Sequence, residues 1–339
     1  MLFSHIVSQA PTRICLIGGG TDVNPYAAQH QGAIINVAIN MYHRVTLTPR
    51  ADKRILVEAL HEVREFELNK HLICGEDPRF DLVRAIINYF SHNLSSGFDL
   101  SIESDAPDGC GIGTSGSVGV AIIGAIKSCL GLPVKRDEIA RLAFEIETTQ
   151  LGWAGGKQDQ WAAAYGGLNL TLYGPGEKVQ VQPLNCSEEL LQLLHDWLLL
   201  IHVGGQRLSA KLQVALQKGM QENDRHDALN KLKELTHMAK TALEQGDFEQ
   251  LGALFHQGWE AKKKSNPIAT NERINSIYEA GKENGALGGK IIGAGGAGYL
   301  FFFCPTEMQP KVIRAVEQHK ANKVDFEFDM QGLKVRVDK

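Results

Sequence analysis

The spacing of apolar residues changes character along the chain, and each change predicts an element. Alternating and β-branched residues over 2–9, 33–38, 42–49, 54–59 and 63–68 predict strands of an antiparallel sheet. Leu82, Val83, Ile86, Ile87 and Phe90 recur at helical spacing and predict a helix over 79–92, after which 98–103 alternates again as a strand. Helices are expected at 115–130 and 136–150, the second opening on Asp137 and Glu138, whose charges suit the positive end of a helix dipole. Strands return at 167–173 and 178–183. Between 209 and 264 the chain is nearly all helix former, with Leu212, Leu216, Leu229, Leu232, Leu235, Leu243, Leu251 and Leu254 at heptad-like spacing, which predicts a helical layer. A helix over 271–284, strands at 290–292, 298–304, 324–328 and 334–337, and a helix over 307–319 complete an α+β pattern. The change from strand to helix character near Asn185 divides the chain into domains 1–184 and 185–339, with no flexible linker between them.

Composition narrows the function classes. With 43% hydrophobic and 22% charged residues over 339 positions, disordered and fibrous classes are excluded. Lys and Arg number 35 against 39 acids, a net charge of −4, so there is no basic field for nucleic acid. The cysteines at 15, 74, 110, 129, 186 and 304 lack CxxC or zinc-ligand spacing and read as free thiols in a reducing compartment. The apolar runs are too short to span a bilayer, and residues 1–13 lack the features of a signal peptide, so a cytoplasmic protein without a membrane partner is expected. The 35 glycines cluster at 18–20, 109–119 and 285–298, which points to backbone approaching a ligand or turning tightly.

Two stretches match GxGxxG, at Gly111, Gly113 and Gly116 and at Gly293, Gly295 and Gly298. Neither is a dinucleotide fingerprint: the second runs into the strand-like YLFFFC, and the acids that follow the first open a helix instead of ending a strand. Neither continues into the Gly-Lys-Ser/Thr of a P-loop. What remains is PDGCGIGTSGS, residues 107–117, a glycine loop entering a helix. Its backbone N–H groups and the helix N-terminus suit an anion such as a triphosphate, and the Thr114 and Ser115 hydroxyls suit phosphate oxygens or Mg²⁺. The plainer reading is a capped turn. Glu147 and Asp159, twelve residues apart across the Gly155-Gly156 turn, could face one site and serve a divalent metal and a hydroxyl. Arg13 and Asp22 flank a further glycine turn in APTRICLIGGGTD, where a cation and a hydroxyl acceptor are available. The histidines form no ligand set, and Trp153 and Trp161 read as packing residues.

Together these segments resemble the GHMP kinases, the family named for galactokinase, homoserine kinase, mevalonate kinase and phosphomevalonate kinase. APTRICLIGGGTD is similar to the family's first motif, PDGCGIGTSGS to its phosphate loop, and GGKIIGAGGAGYLFFF to its glycine-rich third motif. The resemblance implies two α+β domains with the active site in the cleft between them, and ATP and Mg²⁺ as cofactors. It implies that Pro107, Gly109, Cys110, Gly111, Ile112, Gly113, Thr114 and Ser115 bind ATP, that Ser115 and Glu147 hold the metal, and that Asp159 is catalytic with Arg13 paired to it. Gly19, Gly20, Thr21, Asp22, Gly156, Gly295 and Gly296 would meet the sugar. Within the family the chain is most similar to kinases of the anomeric hydroxyl of a sugar already phosphorylated at its far end, for which Lys263 and Lys264 of the basic triplet would supply the phosphate pocket. At Gly19 and Gly20 galactokinases carry Glu-His, so a galactose-type set of contacts is absent. Gly116, in place of the usual serine or alanine, is expected to loosen the helix start. Alternatives are an L-fucose kinase or another sugar-1-kinase, and a non-catalytic sensor that binds ATP and sugar. A homodimer is compatible with the sequence.

Overall fold

The first strand shows how the two halves of the chain are joined. In the computed structural model, which describes residues 5–106, 110–204 and 223–338, β1 (His5–Ile17) alternates between buried and partly exposed positions over its first turns and is then buried throughout. Its first part has one face on a core and one towards solvent, whereas the continuous apolar run ICLI is covered on both faces. β2 (Gly32–Pro49) does the reverse, fully buried at first and alternating later. The expected strands at 33–38 and 42–49 are therefore one strand of 18 residues, because Ile39 to Tyr42 keep the pairing with β1 through a register shift between Pro11 and Thr12.

Around β1 and β2 a sheet forms in the order β12-β1-β2-β5-β3-β4, where β3 is Arg54–Ala59, β4 Glu62–Glu67, β5 Phe98–Ser104 and β12 Lys334–Asp338. β6 (Leu168–Tyr173) extends it from the first half of β2, and β7 (Val179–Pro183) pairs with β6. Short α1 (Tyr26–His30) links β1 to β2. One face of the sheet carries α2 (Asp81–Phe90), α3 (Thr114–Cys129), α4 (Arg136–Glu145) and α5 (Gln158–Tyr165), with Val45, Leu47, Ile86, Ile122, Ile123 and Trp161 in the shared core.

The second sheet has the order β11-β8-β10-β9, from Asn322–Val324, Leu198–Gly204, Gly298–Phe303 and Gly288–Ile291. Along β10, Tyr299, Phe301 and Phe303 enter a core shared with β1, β2 and β6, while Leu300 and Phe302 enter one beneath α9 (Glu272–Glu283) and α10 (Gln309–Glu317). An all-apolar strand is thus buried on both faces, each phenylalanine contributing roughly 1.5–3 kcal/mol. The halves are not loosely tethered, since the core through Ile14, Ile35, Leu200, Phe255 and Phe301 crosses from one sheet to the other. The last strand also returns to the first sheet, β12 pairing with β1.

Of the helical layer expected over 209–264, residues 209–222, with Leu212 and Leu216, lie outside the described residues, and the remainder forms α7 (Asn223–Gln245) and α8 (Phe248–Ser265). Gly246, at φ +71, breaks the helix, and the Asp247 side chain restarts it by accepting from the Gln250 N–H. The expected strand at 324–328 stops at Val324, leaving Phe328 a single bridge to Ile39. The expected helix at 136–150 ends as α at Glu145 and continues as one π turn, Ile146–Gln150. α6 (Glu188–Trp197) begins on a Ser187 cap that accepts from the Leu190 N–H.

Candidate active site

Three glycine turns meet where the sheets join. Gly293, at φ +71, packs so closely on the phosphate-loop segment that a Cβ there would lie 2.3 Å from the Gly111 carbonyl, so only glycine lets the third motif press backbone against backbone. Beneath this contact is a cavity of about 300 Å³, lined from β1 by Arg13, from the first glycine turn by Gly19, Gly20 and Asp22, and from the phosphate loop by Gly111, Gly113, Thr114 and Ser115. Gly156 and Asp159 come from the turn into α5, and Lys262 and Asn266 from the end of α8.

At the centre stands an ion pair between residues 146 positions apart. The Arg13 side chain, 2% exposed, donates through Nε and Nη2 to Asp159 Oδ1 at 2.9 and 2.5 Å, and through Nη1 to the Gly111 carbonyl at 2.8 Å. Burial opposes the charge on Arg13 most strongly, but the neighbouring Asp159 carboxylate, together with Cys15 and Asp22, leaves the guanidinium pKa raised. Asp159 is oriented by this pair and its side chain stays 27% exposed to the cavity. Gly116 is central to the arrangement: a Cβ there would lie 2.7 Å from Asp159 Cβ, so the missing side chain lets α5 approach α3. α3 forms from Thr114 onward, with Gly116 inside its first turn.

Asp22 is buried and accepts from the Gly20 N–H at 3.2 Å and from the Gln158 N–H at 3.1 Å, tying the first glycine turn to the start of α5. Burial raises its pKa, opposed by those N–H donors. A Cβ on Gly156 would meet Asp22 Oδ2 at 1.9 Å, so residue 156 must be glycine for the carboxylate to sit there. Lys157 is buried behind this turn with its ammonium 2.6 Å from Glu177 Oε2.

α3 begins after Gly113, which is in the left-handed conformation at φ +84, and no side chain caps it. Its first N–H groups and partial positive charge therefore face the cavity rim formed by Gly113, Thr114 and Ser115. Beside it, the π turn after α4 carries Glu147, buried, with Oε2 accepting from Ser115 Oγ at 3.4 Å and Oε1 lacking any hydrogen-bond partner. Desolvation raises the Glu147 pKa to about 8, the nearby Asp159 charge adding to it. A buried carboxylate oxygen aimed beside a hydroxyl at a helix N-terminus fits a hard cation such as Mg²⁺. Among the described residues no group of three or more His, Cys, Asp or Glu could hold a metal by itself, so phosphate oxygens would have to complete the shell.

Of the residues expected at the site, Arg13, Gly19, Gly20, Asp22, Gly111, Gly113, Thr114, Ser115, Gly156 and Asp159 line the cavity. Cys110 and Ile112 are buried beside it, the Ile112 carbonyl accepting from the Arg13 N–H at 3.0 Å, while Pro107 and Gly109 lie outside the described residues. Thr21 is turned away: its hydroxyl bonds the backbone of Gly18 and Ala33 and closes the turn. Gly295 and Gly296 pack on the 267–269 turn, and Gly293 and Ala294 take their place in the wall. Neither Lys263 nor Lys264 lines the cavity, since Lys263 pairs with Glu260 at 2.7 Å and Lys264 is exposed; of the triplet, Lys262 lines it. Trp153, read as packing, lines the cavity, whereas Trp161 is core.

His43 is marked by no sequence pattern. Its ring lies 3.0 Å from Ser104 Oγ and 3.1 Å from Ser117 Oγ, so one buried imidazole joins the chain entering the phosphate loop to the first turns of α3. Burial lowers its pKa from 6.5 to about 4. The neutral ring is the native form, so its contribution to stability is complete above about 6.5 and is lost as pH falls towards 4. His43→Gln should flatten that part of the melting-temperature profile and raise the KM for ATP several-fold. A KM that stays put would show that the loop holds its shape without the ring.

A glycine-lined anion site at a helix start, facing an arginine-held carboxylate, defines a phosphotransferase acting on an alcohol. Residues 81–167 match the GHMP kinases N terminal domain and residues 239–322 the GHMP kinases C terminal region. D-glycero-alpha-D-manno-heptose 7-phosphate kinase of Campylobacter jejuni is 31% identical over 97% of this chain and 98% of its own. A crystal structure described as a D-glycero-D-manno-heptose 1-phosphate kinase from Bacteroides thetaiotaomicron superimposes with a TM-score of 0.81, at 29% identity and 98% coverage of both chains. The bifunctional fucokinase/GDP-fucose pyrophosphorylase of Arabidopsis thaliana is 24% identical over 95% of this chain and 32% of its own. The chain belongs to the GHMP kinase family and is a sugar kinase. Among the described residues no helix is long and apolar enough to cross a membrane, and all six cysteines are free.

Proposed function

We propose that the chain transfers the γ-phosphoryl group of ATP to the anomeric hydroxyl of D-glycero-α-D-manno-heptose 7-phosphate, giving the 1,7-bisphosphate, a precursor suited to GDP-heptose and capsule or other surface polysaccharide. The observation that carries the chemistry is the Arg13–Asp159 pair opening onto the same cavity as the uncapped start of α3. The full-length likeness to the Campylobacter heptose kinase supports the acceptor, and the weaker likeness to the fucokinase sets that sugar second.

In this reading residues 110–115 and the α3 N-terminus hold the ATP phosphates, with Ser115 and Glu147 holding Mg²⁺. When bound, the metal neutralises charge that grows on the phosphates during transfer. Asp159 accepts the hydrogen bond of the anomeric hydroxyl, aims its oxygen in line with the γ-phosphorus and receives the proton as the O–P bond forms and the bond to ADP breaks. Arg13 holds Asp159 in place. Phosphoryl transfer depends mainly on positioning and on charge stabilisation, so orientation of the hydroxyl contributes more than proton removal. Asp22 and the N–H groups of the first glycine turn border the acceptor space, and the cleft between units 1–184 and 185–339 brings donor and acceptor together.

A coupled ADP-release assay tests this. Heptose 7-phosphate should give a kcat/KM at least tenfold above those of sedoheptulose 7-phosphate, mannose and L-fucose. A clear preference for L-fucose would replace the assignment, and sugar binding without ADP release would favour the sensor.

A further inference from the structure

The basic triplet that ends α8 places three like residues in three environments. At about 100° per residue they project in different directions, and only Lys262 points into the cavity. Lys262 is 4% exposed, and its ammonium donates to the Gly293 carbonyl, a bond that fixes its direction. Lys263 pairs with Glu260 and lies over the Trp259 ring, 5.6 Å from the centroid, and Lys264 is exposed.

We propose that Lys262, with Ser265 and Asn266, forms the subsite for a second phosphate monoester, the one the acceptor sugar already carries. This rests on the sugar-phosphate reading above. Two cationic side chains line the cavity among the described residues, Arg13 and Lys262. Arg13 is directed at the reacting end, with Nε and Nη2 on Asp159 and Nη1 on Gly111. A phosphate elsewhere in the same buried space needs its own cation, because desolvating a dianion without one is prohibitive. The Lys262 wall offers it on a rigid mount. The Asn266 amide donates to the Ala294 carbonyl at 3.1 Å and Ser265 Oγ to the Lys262 carbonyl at 3.0 Å, so the end of α8 and the third glycine motif hold one another. The negative end of the α8 dipole would itself repel an anion, which makes the site depend on this ammonium.

The test compares D-glycero-D-manno-heptose 7-phosphate with the same heptose lacking its phosphate, in the parent, Lys262→Met, Lys262→Arg and the control Lys264→Met. In the parent the phosphorylated sugar should have the lower KM. Lys262→Met should raise that KM roughly thirtyfold or more while leaving the KM for unphosphorylated heptose and for ATP within about twofold. Lys262→Arg should recover part of the loss, and Lys264→Met should resemble the parent. Inorganic phosphate should compete with the sugar phosphate in the parent and much less in Lys262→Met, and matched melting curves establish that the variants are folded. Equal KM increases for both sugars, or an increase for ATP instead, would overturn the subsite. Should Lys262→Met not fold, an unchanged KM for the sugar phosphate in both Lys262→Arg and Lys262→Gln would overturn it equally. A parent that does not distinguish the two sugars would count against the sugar-phosphate reading itself.

Discussion

Asp159→Asn is expected to lower kcat by about a hundredfold or more with little change in the KM for ATP. Asparagine keeps the size of the side chain but loses the charge, so the acceptor hydroxyl faces an amide whose NH₂ cannot accept its proton. The change also leaves Arg13, 2% exposed, without its anion. Part of the loss will therefore be structural, because an unpaired buried guanidinium is costly. Measuring Arg13→Met and the double variant separates the two parts: if both residues act through one unit, the double variant should be little worse than the more damaged single one. A kcat within a few-fold of the parent in Asp159→Asn would remove Asp159 from the reaction.

Glu147→Gln should lower activity and raise stability. In the folded chain the Glu147 carboxyl is pushed from 4.5 to about 8 by burial, so the native state holds a proton that the unfolded state releases. Without metal, the parent's stability is therefore greatest below about 4.5 and falls as pH rises towards 8, by on the order of a few kcal/mol. The substituted amide is neutral throughout, so the variant should melt higher than the parent at pH 8 and the difference should vanish near pH 4.5. Mg²⁺ should raise the parent's melting temperature most at the alkaline end, where the carboxylate is available to it, and the variant's scarcely at all. In turnover, Glu147→Gln and Ser115→Ala should each require more Mg²⁺ for half-maximal rate, while Thr114→Ala should change less, since backbone N–H groups would still hold the phosphate. The same Mg²⁺ dependence in parent, Glu147→Gln and Ser115→Ala would place the metal elsewhere.

Much of the site was legible because its requirements are local. A turn that needs positive φ or a backbone in contact with another backbone demands glycine, and so Gly113 and Gly293 stand out in the sequence before any fold is known. Most strands of the first sheet and the run Tyr299 to Phe303 were also plain, since period 2 and unbroken apolarity are properties of a few consecutive residues, but residues 10–17 of β1 and the continuity of β2 were not. α5 was not legible. It has eight residues and its QDQWAAA segment is largely buried on all sides, so no amphipathic period betrays it.

The sequence by itself determined which residue types the chemistry has available: glycine turns, an arginine, three acids and a basic triplet. Which of them meet was decided by the tertiary structure. Arg13 finds Asp159 across 146 positions because β1 and α5 pack against the same helix, α3. Lys262 enters the cavity in place of its neighbours because the rotation of α8 is set by Trp259, Phe255 and Leu251, which its apolar stripe must bury. A helix turns about 100° per residue, so the packing of that stripe fixes the direction of every lysine beside it, and no inspection of Lys-Lys-Lys alone contains that angle.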